Sequence, residues 1–515
     1  MSSSWPSGFA EALHSTLLRR IAPEQNSADL ELLSQELVEA LERGELDLPL
    51  TAHRRAVAEA SGWLIGAEAP LLLQGERIGW RRWLEAMDDV LHSLLARAIP
   101  DLPAPVAVAE PSDNLNPEQQ AAVLAPDHAP VLLLSGGPGT GKTSTVVEVL
   151  RRALGRHPDL RIGLAAPTGK ASRRLGDAVG PHLAPLPCFT LHRWLEAGAE
   201  GFRRRRDRPL ELDLLVIDEM SMVDLALMTA LLDALPAACR LVLVGDPAQL
   251  PPVGSGAVWQ RLQEPAIRER FGAAAIQLNR TYRNRGALAD LAVSLRQGGV
   301  DCFWRSLGDL PPTANVTHRV NSLRRLPTAV RDHWHQRQQG LMALTADLDR
   351  LDDAALQTAA GPLMQLLERD LLLCPRRRGP WSLEDVHRTL LGPAAADDPM
   401  LWPEGTPVIC GGNQPDLGLS NGDLGVKIGR GASARLLFRV IDADGSALLR
   451  RLHPARITSL EPALALTIHR AQGSEADAVM LLWPLQDAGD FESCLLYTAI
   501  TRARASLDLV TAGSA

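Results

Sequence analysis

The first sustained pattern along the chain is helical. From Trp80 to Leu95 the apolar residues Trp80, Trp83, Leu84, Met87, Leu91, Leu94 and Leu95 recur at helical spacing, which predicts an amphipathic helix burying one face. A proline-dense stretch from Pro100 to Pro117 follows and reads as a linker closing a small, mostly helical N-terminal domain, with its boundary near residue 110. The period then changes. Short continuous apolar runs at Val131 to Leu134, Ile162 to Ala166, Leu214 to Ile217 and Leu241 to Val244 are separated by stretches long enough for crossover helices, which predicts a parallel α/β sheet. A second such region runs from about Asp370 to the C-terminal end. Inside it, Pro407 to Leu460 is rich in glycine and alternating apolar residues, as in Leu436 to Ile441, and predicts a small β-insertion. No internal repeat at solenoid periods is present.

Composition narrows the class. At 515 residues and 46% hydrophobic, the chain reads as a globular protein of about three domains. Its longest apolar runs, such as Ala478 to Trp483, fall far short of the roughly 18 residues that span a bilayer. Met1 to Ala10 lacks the basic and apolar regions of a secretory signal, so a cytoplasmic location without membrane contact is expected. The six cysteines are widely spaced and form no CxxC pair, so free thiols are expected rather than a metal or redox site. A net charge of −8 argues against a generally basic nucleic-acid coat but allows a local positive channel. Of 53 basic residues only Lys142, Lys170 and Lys427 are lysine. A lysine that persists in so arginine-rich a chain marks a position that suits a compact ammonium, for instance one facing phosphate.

Chemistry enters with Gly136-Gly137-Pro138-Gly139-Thr140-Gly141-Lys142-Thr143-Ser144, which fits the P-loop pattern after an apolar strand. Glycines let backbone amides converge on phosphate, Lys142 reaches the β and γ oxygens of ATP, and the Thr143 hydroxyl suits Mg²⁺. Leu214-Leu215-Val216-Ile217-Asp218-Glu219 sets two carboxylates at the C-terminal end of a strand, where open α/β sheets bind ligands. Asp218 suits Mg²⁺ and Glu219 the attacking water. A further strand ends in Gly245-Asp246-Pro247-Ala248-Gln249-Leu250-Pro251-Pro252, where Gln249 can bond the γ-phosphate or the water.

This order of segments resembles the superfamily 1 helicases, whose Walker A, Walker B and GDxxQLP motifs match these positions. Leu115-Asn116-Pro117-Glu118-Gln119 resembles the Q motif, which implies that Gln119 reads adenine. Ala166-Pro167-Thr168-Gly169-Lys170-Ala171 resembles motif Ia, and Thr190-Leu191-His192-Arg193 the next single-strand contact. Thr281-Tyr282-Arg283 is similar to motif IV, the segment from Thr467 through His469 to Glu475 to motif V, and Tyr497 to Arg504 to motif VI. The chain's only two tyrosines, Tyr282 and Tyr497, fall in these last segments. The resemblance implies that Arg283 and Arg502 meet charge developing on the γ-phosphate as two domains close. It also implies that Thr168, Lys170, Thr190, His192, Thr467 and His469 contact a DNA strand. The run Arg203 to Arg206 reads as a solvated loop rather than a phosphate contact.

Within that superfamily the chain resembles the RecD type, the α subunits of exodeoxyribonuclease V. The words that carry the likeness are Ala-Pro-Thr-Gly-Lys-Ala at 166 to 171, Thr-Leu-His-Arg at 190 to 193, Asn-Gly-Asp-Leu-Gly at 421 to 425 and His-Arg-Ala-Gln-Gly-Ser-Glu at 469 to 475. Pro70 to Gly75, continuing to Arg82, is similar to a stretch of the family's N-terminal domain. Arg470 stands where the family more often has lysine, and His387 replaces an expected asparagine after Cys374 to Trp381. The resemblance implies two RecA-like P-loop domains, at 111–365 and 366–515, behind a partner-binding N-terminal domain at 1–110, with an SH3-like insertion near 407–460. It implies 5′-to-3′ unwinding of duplex ends along the 5′-ended strand, beside RecB-like and RecC-like subunits, in break repair by homologous recombination and DNA degradation. A PD-(D/E)xK nuclease needs a lysine two residues after a carboxylate, and positions 140, 168 and 425 hold Thr140, Thr168 and Gly425, so the nuclease is expected on a partner. The alternatives are a stand-alone RecD-like helicase, a P-loop GTPase or kinase, which lacks its Asn-Lys-x-Asp signature here, and a non-catalytic scaffold.

Overall fold

The apolar runs become strands. The computed structural model describes residues 8–98, 114–198, 200–282, 286–311, 315–346, 348–393, 398–441, 447–484 and 490–513. In it the strands Val131–Gly136, Ile162–Ala166, Leu214–Ile217 and Arg240–Gly245 join Ala275–Leu278 and Cys188–Thr190 in one six-stranded sheet whose pairings are all parallel. Alternation splits its core between two faces. Leu132 and Leu134 pack with Val146 and Leu150 of the helix Lys142–Arg156, whereas Val131 and Leu133 pack with Met228 and Leu231 of the helix Leu225–Ala234. Both faces are therefore dry, which is why these strands read as unbroken apolar runs.

The amphipathic helix forms as Arg81–Ala98, but its apolar stripe does not serve the N-terminal domain alone. Met87, Leu91 and Leu94 join the motor core beside Met228. At its end Arg97 donates to the carbonyls of Leu235 and Pro236, at 3.1 and 2.7 Å, closing the C-terminal end of the neighbouring helix. Ahead of it lie the helices Phe9–Arg20, Ala28–Glu42 and Ala52–Ala60. A three-stranded antiparallel sheet, in the order Asp47–Pro49, Arg77–Trp80, Leu71–Gln74, completes the region and includes the Pro70 to Arg82 stretch.

A second sheet, again wholly parallel, takes the order Val316–Asn321, Ala503–Ala512, Ala476–Trp483, Asp370–Cys374, Leu466–Thr467. Its first strand lies upstream of the expected boundary at 366. Val316–Asn321 pairs along its length with Leu507 to Ala512, and Leu291, Leu295 and Phe303 of the helix Ala287–Gly308 pack under the same sheet, so the crossing between sheets occurs before residue 287. The strand escaped the pattern because it is an exposed edge, and its sequence Val-Thr-His-Arg-Val-Asn carries no apolar run. The insertion is a five-stranded antiparallel sheet in the order Ala447–Leu452, Arg435–Ile441, Leu424–Ile428, Pro407–Cys410, Leu460–Pro462. Lys427 sits wholly inside it. Its Nζ donates to the carbonyls of Pro399, Met400 and Trp402 at 3.0, 2.8 and 2.6 Å, which satisfies all three of its donors. No helix among the described residues is long and apolar enough to cross a membrane.

Candidate nucleotide and DNA site

The P-loop leaves the strand Val131–Gly136 and turns into the helix Lys142–Arg156. Gly139 and Gly141 hold φ of 73° and 86°, values that a side chain would strain, and at Gly136 a Cβ would lie 2.6 Å from Thr140 Oγ1. Lys142 Nζ donates to the carbonyls of Gly136 and Gly137 at 2.7 and 3.0 Å, spanning the mouth of the loop. Gly139, Lys142, Thr143 and Ser144 line a cavity of about 350 Å³, and so do Asp218, Glu219, Gln249 and, from the second motor domain, Arg502. Residues as distant in sequence as Gln119 and Arg502 therefore face one space between the two sheets.

Gln119 caps its own helix. In the capping box of Pro117–Leu124 its Oε1 accepts from the Asn116 amide at 3.1 Å, and its Nε2 points to the Thr140 carbonyl at 3.5 Å. Contact with a base would use the second hydrogen and lone pair of that amide. Tyr282, which the sequence placed in the segment similar to motif IV, borders the same cavity. Its backbone N–H donates to Gly139 at 2.8 Å and its hydroxyl accepts from Asn116 Nδ2 at 2.8 Å; the residue is 44% exposed, with the Arg280 guanidinium over its ring at 5.3 Å.

The acidic pair is buried. Burial, and then the neighbouring Glu219, push the Asp218 carboxyl above its ordinary range. Glu219 stands in the left-handed region at φ 55°, ψ 43°, and its Oε1 accepts from Arg174 Nη2 at 2.9 Å. Such a backbone is held by its surroundings. Gln249 is buried too, and its Oε1 has no hydrogen-bond partner among the described residues. Arg502 donates to the Thr498 and Ser474 carbonyls, both at 3.0 Å, while burial lowers its pKa against the opposing pull of Glu219 and Glu475. Arg283 lies outside the described residues.

Two further contacts cross between the sheets. Tyr497 Oη donates to Asp246 Oδ2 at 3.0 Å, and Thr498 Oγ1 accepts from the Leu250 amide at 2.9 Å. Thus the Gly245 to Pro252 segment of the first domain is gripped by the second.

The three threonines assigned to DNA are all helix or turn caps. Thr168, Thr190 and Thr467 accept from the amides of Ala171, Arg193 and Arg470 at 3.2, 3.2 and 3.3 Å. A cap uses the hydroxyl as acceptor and leaves its O–H free to donate, so capping and phosphate binding are compatible. Lys170 Nζ is buried without a partner among the described residues, and burial drives its pKa down to about 8. It borders an 830 Å³ cleft shared with Arg173, Arg369, Arg439 and Arg504. Burial also lowers the pKa of His192 and His469. The arginine run at 203 to 206 is partly neutralised by local carboxylates: Arg204 pairs with Glu196 at 2.7 Å and Arg205 with Asp207 at 2.8 Å. His387 is buried in the second motor domain, where burial lowers its pKa to about 4.

Profiles of two families match the chain, the AAA domain at residues 119–255 and the UvrD-like helicase C-terminal domain at residues 462–510. A crystal structure of Bacteroides Pif1 bound to single-stranded DNA aligns over 77% of this chain and 92% of that one, at 17% identity and a TM-score of 0.45. The ATP-dependent RecD2 DNA helicase of Deinococcus radiodurans is 32% identical over 400 residues, covering 75% of this chain and 48% of that one. The RecBCD enzyme subunit RecD of Mycobacterium tuberculosis is 32% identical over 456 residues, covering 84% and 75%. That of Mycolicibacterium smegmatis is 33% identical over 487 residues, covering 88% of this chain and 82% of the other. Identity of this order across most of both chains means that the protein belongs to the RecD family of superfamily 1, the ATP-dependent DNA helicases.

Proposed function

We propose that this chain is the 5′-to-3′ motor of a RecBCD-type exodeoxyribonuclease. In this reading it draws in the 5′-ended strand of a duplex end while RecB-like and RecC-like partners supply the nuclease. The observation that carries the motor reading is the shared cavity: Lys142, Asp218 and Glu219 of the first sheet face Arg502 of the second across one space. A cleft built this way couples hydrolysis to domain closure, because the cation that stabilises the transferring phosphoryl group arrives only when the domains meet. P-loop amides and Lys142 hold the phosphates of ATP, Glu219 takes a proton from the attacking water and Gln249 orients that water. Arg283 joins Arg502 at the γ-phosphate.

Asp218 and Thr143 fit Mg²⁺. A carboxyl buried beside Glu219, which accepts from the Glu219 amide at 2.9 Å, is under-compensated in the way a divalent cation relieves. When bound, that cation neutralises charge on the β and γ oxygens. Thr168, Lys170, Thr190, His192, Thr467 and His469 would follow the strand along both domains. The partner reading rests on relatives named RecBCD enzyme subunit RecD, and the likeness to RecD2 supports the alternative, a stand-alone helicase in the cytoplasm.

Unwinding of duplexes bearing only a 5′ or only a 3′ single-stranded tail tests the proposal. Wild type should open the 5′-tailed duplex and Lys142→Gln should open neither. Preference for the 3′ tail would overturn the polarity. Recovery of the chain from its native cell without a large nuclease subunit would favour the stand-alone form.

A further inference from the structure

We infer that Arg174 is the positioning residue through which DNA on the first motor domain governs Glu219, an inference that rests on the helicase reading above. The helix Gly169–Val179 begins at Thr168 and Lys170, two of the proposed strand contacts, and carries Arg174 one turn later. At 1.5 Å per residue, Lys170 and Arg174 are about 6 Å apart along one rigid rod. A displacement at the helix start therefore moves the guanidinium.

That guanidinium forks between two domains. Nη2 donates to Glu219 Oε1 and Nη1 to Glu475 Oε1, both at 2.9 Å. Glu219 follows the strand Leu214–Ile217 of the first sheet, whereas Glu475 precedes the strand Ala476–Trp483 of the second and pairs there with Arg504 at 2.9 Å. One turn of helix thus has three dependencies: the DNA contact, the proposed base and the opposite domain. Arg173 adds a fourth, since it pairs with Asp423 of the insertion. If strand binding shifts the helix, or opening separates the domains, both carboxylates cannot keep their bonds to one planar fork, and Glu219 is re-aimed. The Glu219 carboxylate is bonded to Arg174, so a shift of the guanidinium changes where that carboxylate points. Lysine is a poor substitute, because its one nitrogen would have to approach both carboxylates at once, whereas the guanidinium reaches them with two separate nitrogens.

The measurable consequence is the ratio of ATP turnover with and without single-stranded DNA, with oligo(dT) as the probe. Loss of a charge-assisted bond is worth on the order of tenfold in rate, so Arg174→Ala should lower the ratio about tenfold or more. Arg174→Lys should lower it too, while KM for ATP moves far less. Arg174→Ala combined with Glu475→Gln should fall no further than Arg174→Ala alone. Thermal melting checks folding, and the conservative Arg174→Lys keeps the test open if the alanine variant unfolds. An unchanged ratio, including an equal fall of both rates, overturns the inference and leaves the helicase reading standing. Absence of DNA stimulation in wild type would instead defeat that reading, and this inference with it.

Discussion

Tyr497→Phe removes one oxygen atom from the seam between the motor domains and leaves the packing of the ring intact. Tyr497 lies on the helix Asp490–Ile500 of the second domain, and its hydroxyl donates to Asp246, at the end of the strand Arg240–Gly245, across 3.0 Å. Both residues are nearly sealed from solvent, at 3% and 1% exposure, so the bond operates at low dielectric. A hydroxyl donating to a buried carboxylate contributes about 1.5–3 kcal/mol. On the proposed motor reading the cleft opens and closes, so the bond would be complete in only one state and its energy would appear as a difference between states. At about 1.36 kcal/mol per decade, the DNA-stimulated kcat/KM for ATP should fall on the order of 10- to 150-fold. The acid limb gives a second reading. Burial raises the Asp246 carboxyl pKa, whereas Lys142, the Ala248 amide and the Tyr497 hydroxyl oppose that rise. Without the hydroxyl the pKa climbs further, and the rate should begin to fall at a higher pH. Steady-state ATPase with oligo(dT) across pH tests both parts. A change under about twofold with an unmoved acid limb would refute the reasoning.

Three further outcomes are expected. Lys170→Met should raise the melting temperature of the DNA-free protein by a few degrees, because the charged ammonium is buried and its pKa is lowered to about 8. The same variant should weaken single-strand binding and lessen its salt dependence, measured by fluorescence anisotropy at several ionic strengths; equal affinity at all salts would remove Lys170 from the DNA track. Lys427→Met leaves three carbonyls without their donor and should cost on the order of 3 kcal/mol or more, seen as a lower melting temperature and faster proteolysis around residues 398–402. Glu475, although burial opposes it, is held down to about 2 by Arg174, Arg502 and Arg504. Its stabilisation is therefore complete above its ordinary value of 4.5 and lost as pH falls toward 2. The melting gap between wild type and Glu475→Gln should close over that window, and a gap that persists at the acid end would contradict the pairing.

The parts of the candidate nucleotide site were largely legible because they are contiguous words. A P-loop needs glycines and a lysine within one turn of chain, and Asp218 and Glu219 follow an apolar strand directly. The three lysines have distinct surroundings: Lys142 spans the P-loop, Lys427 holds three carbonyls and Lys170 sits buried beside a cleft lined by both arginines and carboxylates. Other features had no local signal. Arg174 meets Glu219 across 45 positions, and Tyr497 meets Asp246 across 251, so neither pairing leaves a spacing to read. The sharing of the Arg81–Ala98 helix with the motor core was likewise hidden, since an apolar stripe announces that a face is buried without saying against what.

Sequence alone determined which segments become strands buried on both faces, where the P-loop pattern lies and which family the words resemble, because these depend on periodicity and on residues close along the chain. Only the tertiary structure decided that Val316–Asn321 belongs to the second sheet, that Thr168, Thr190 and Thr467 serve as caps, and that Glu219 is shared through Arg174 with the opposite domain. Such assignments depend on which side chains meet after the chain has folded. A guanidinium holding two carboxylates from two sheets is a property of their packing, and no stretch of sequence contains it.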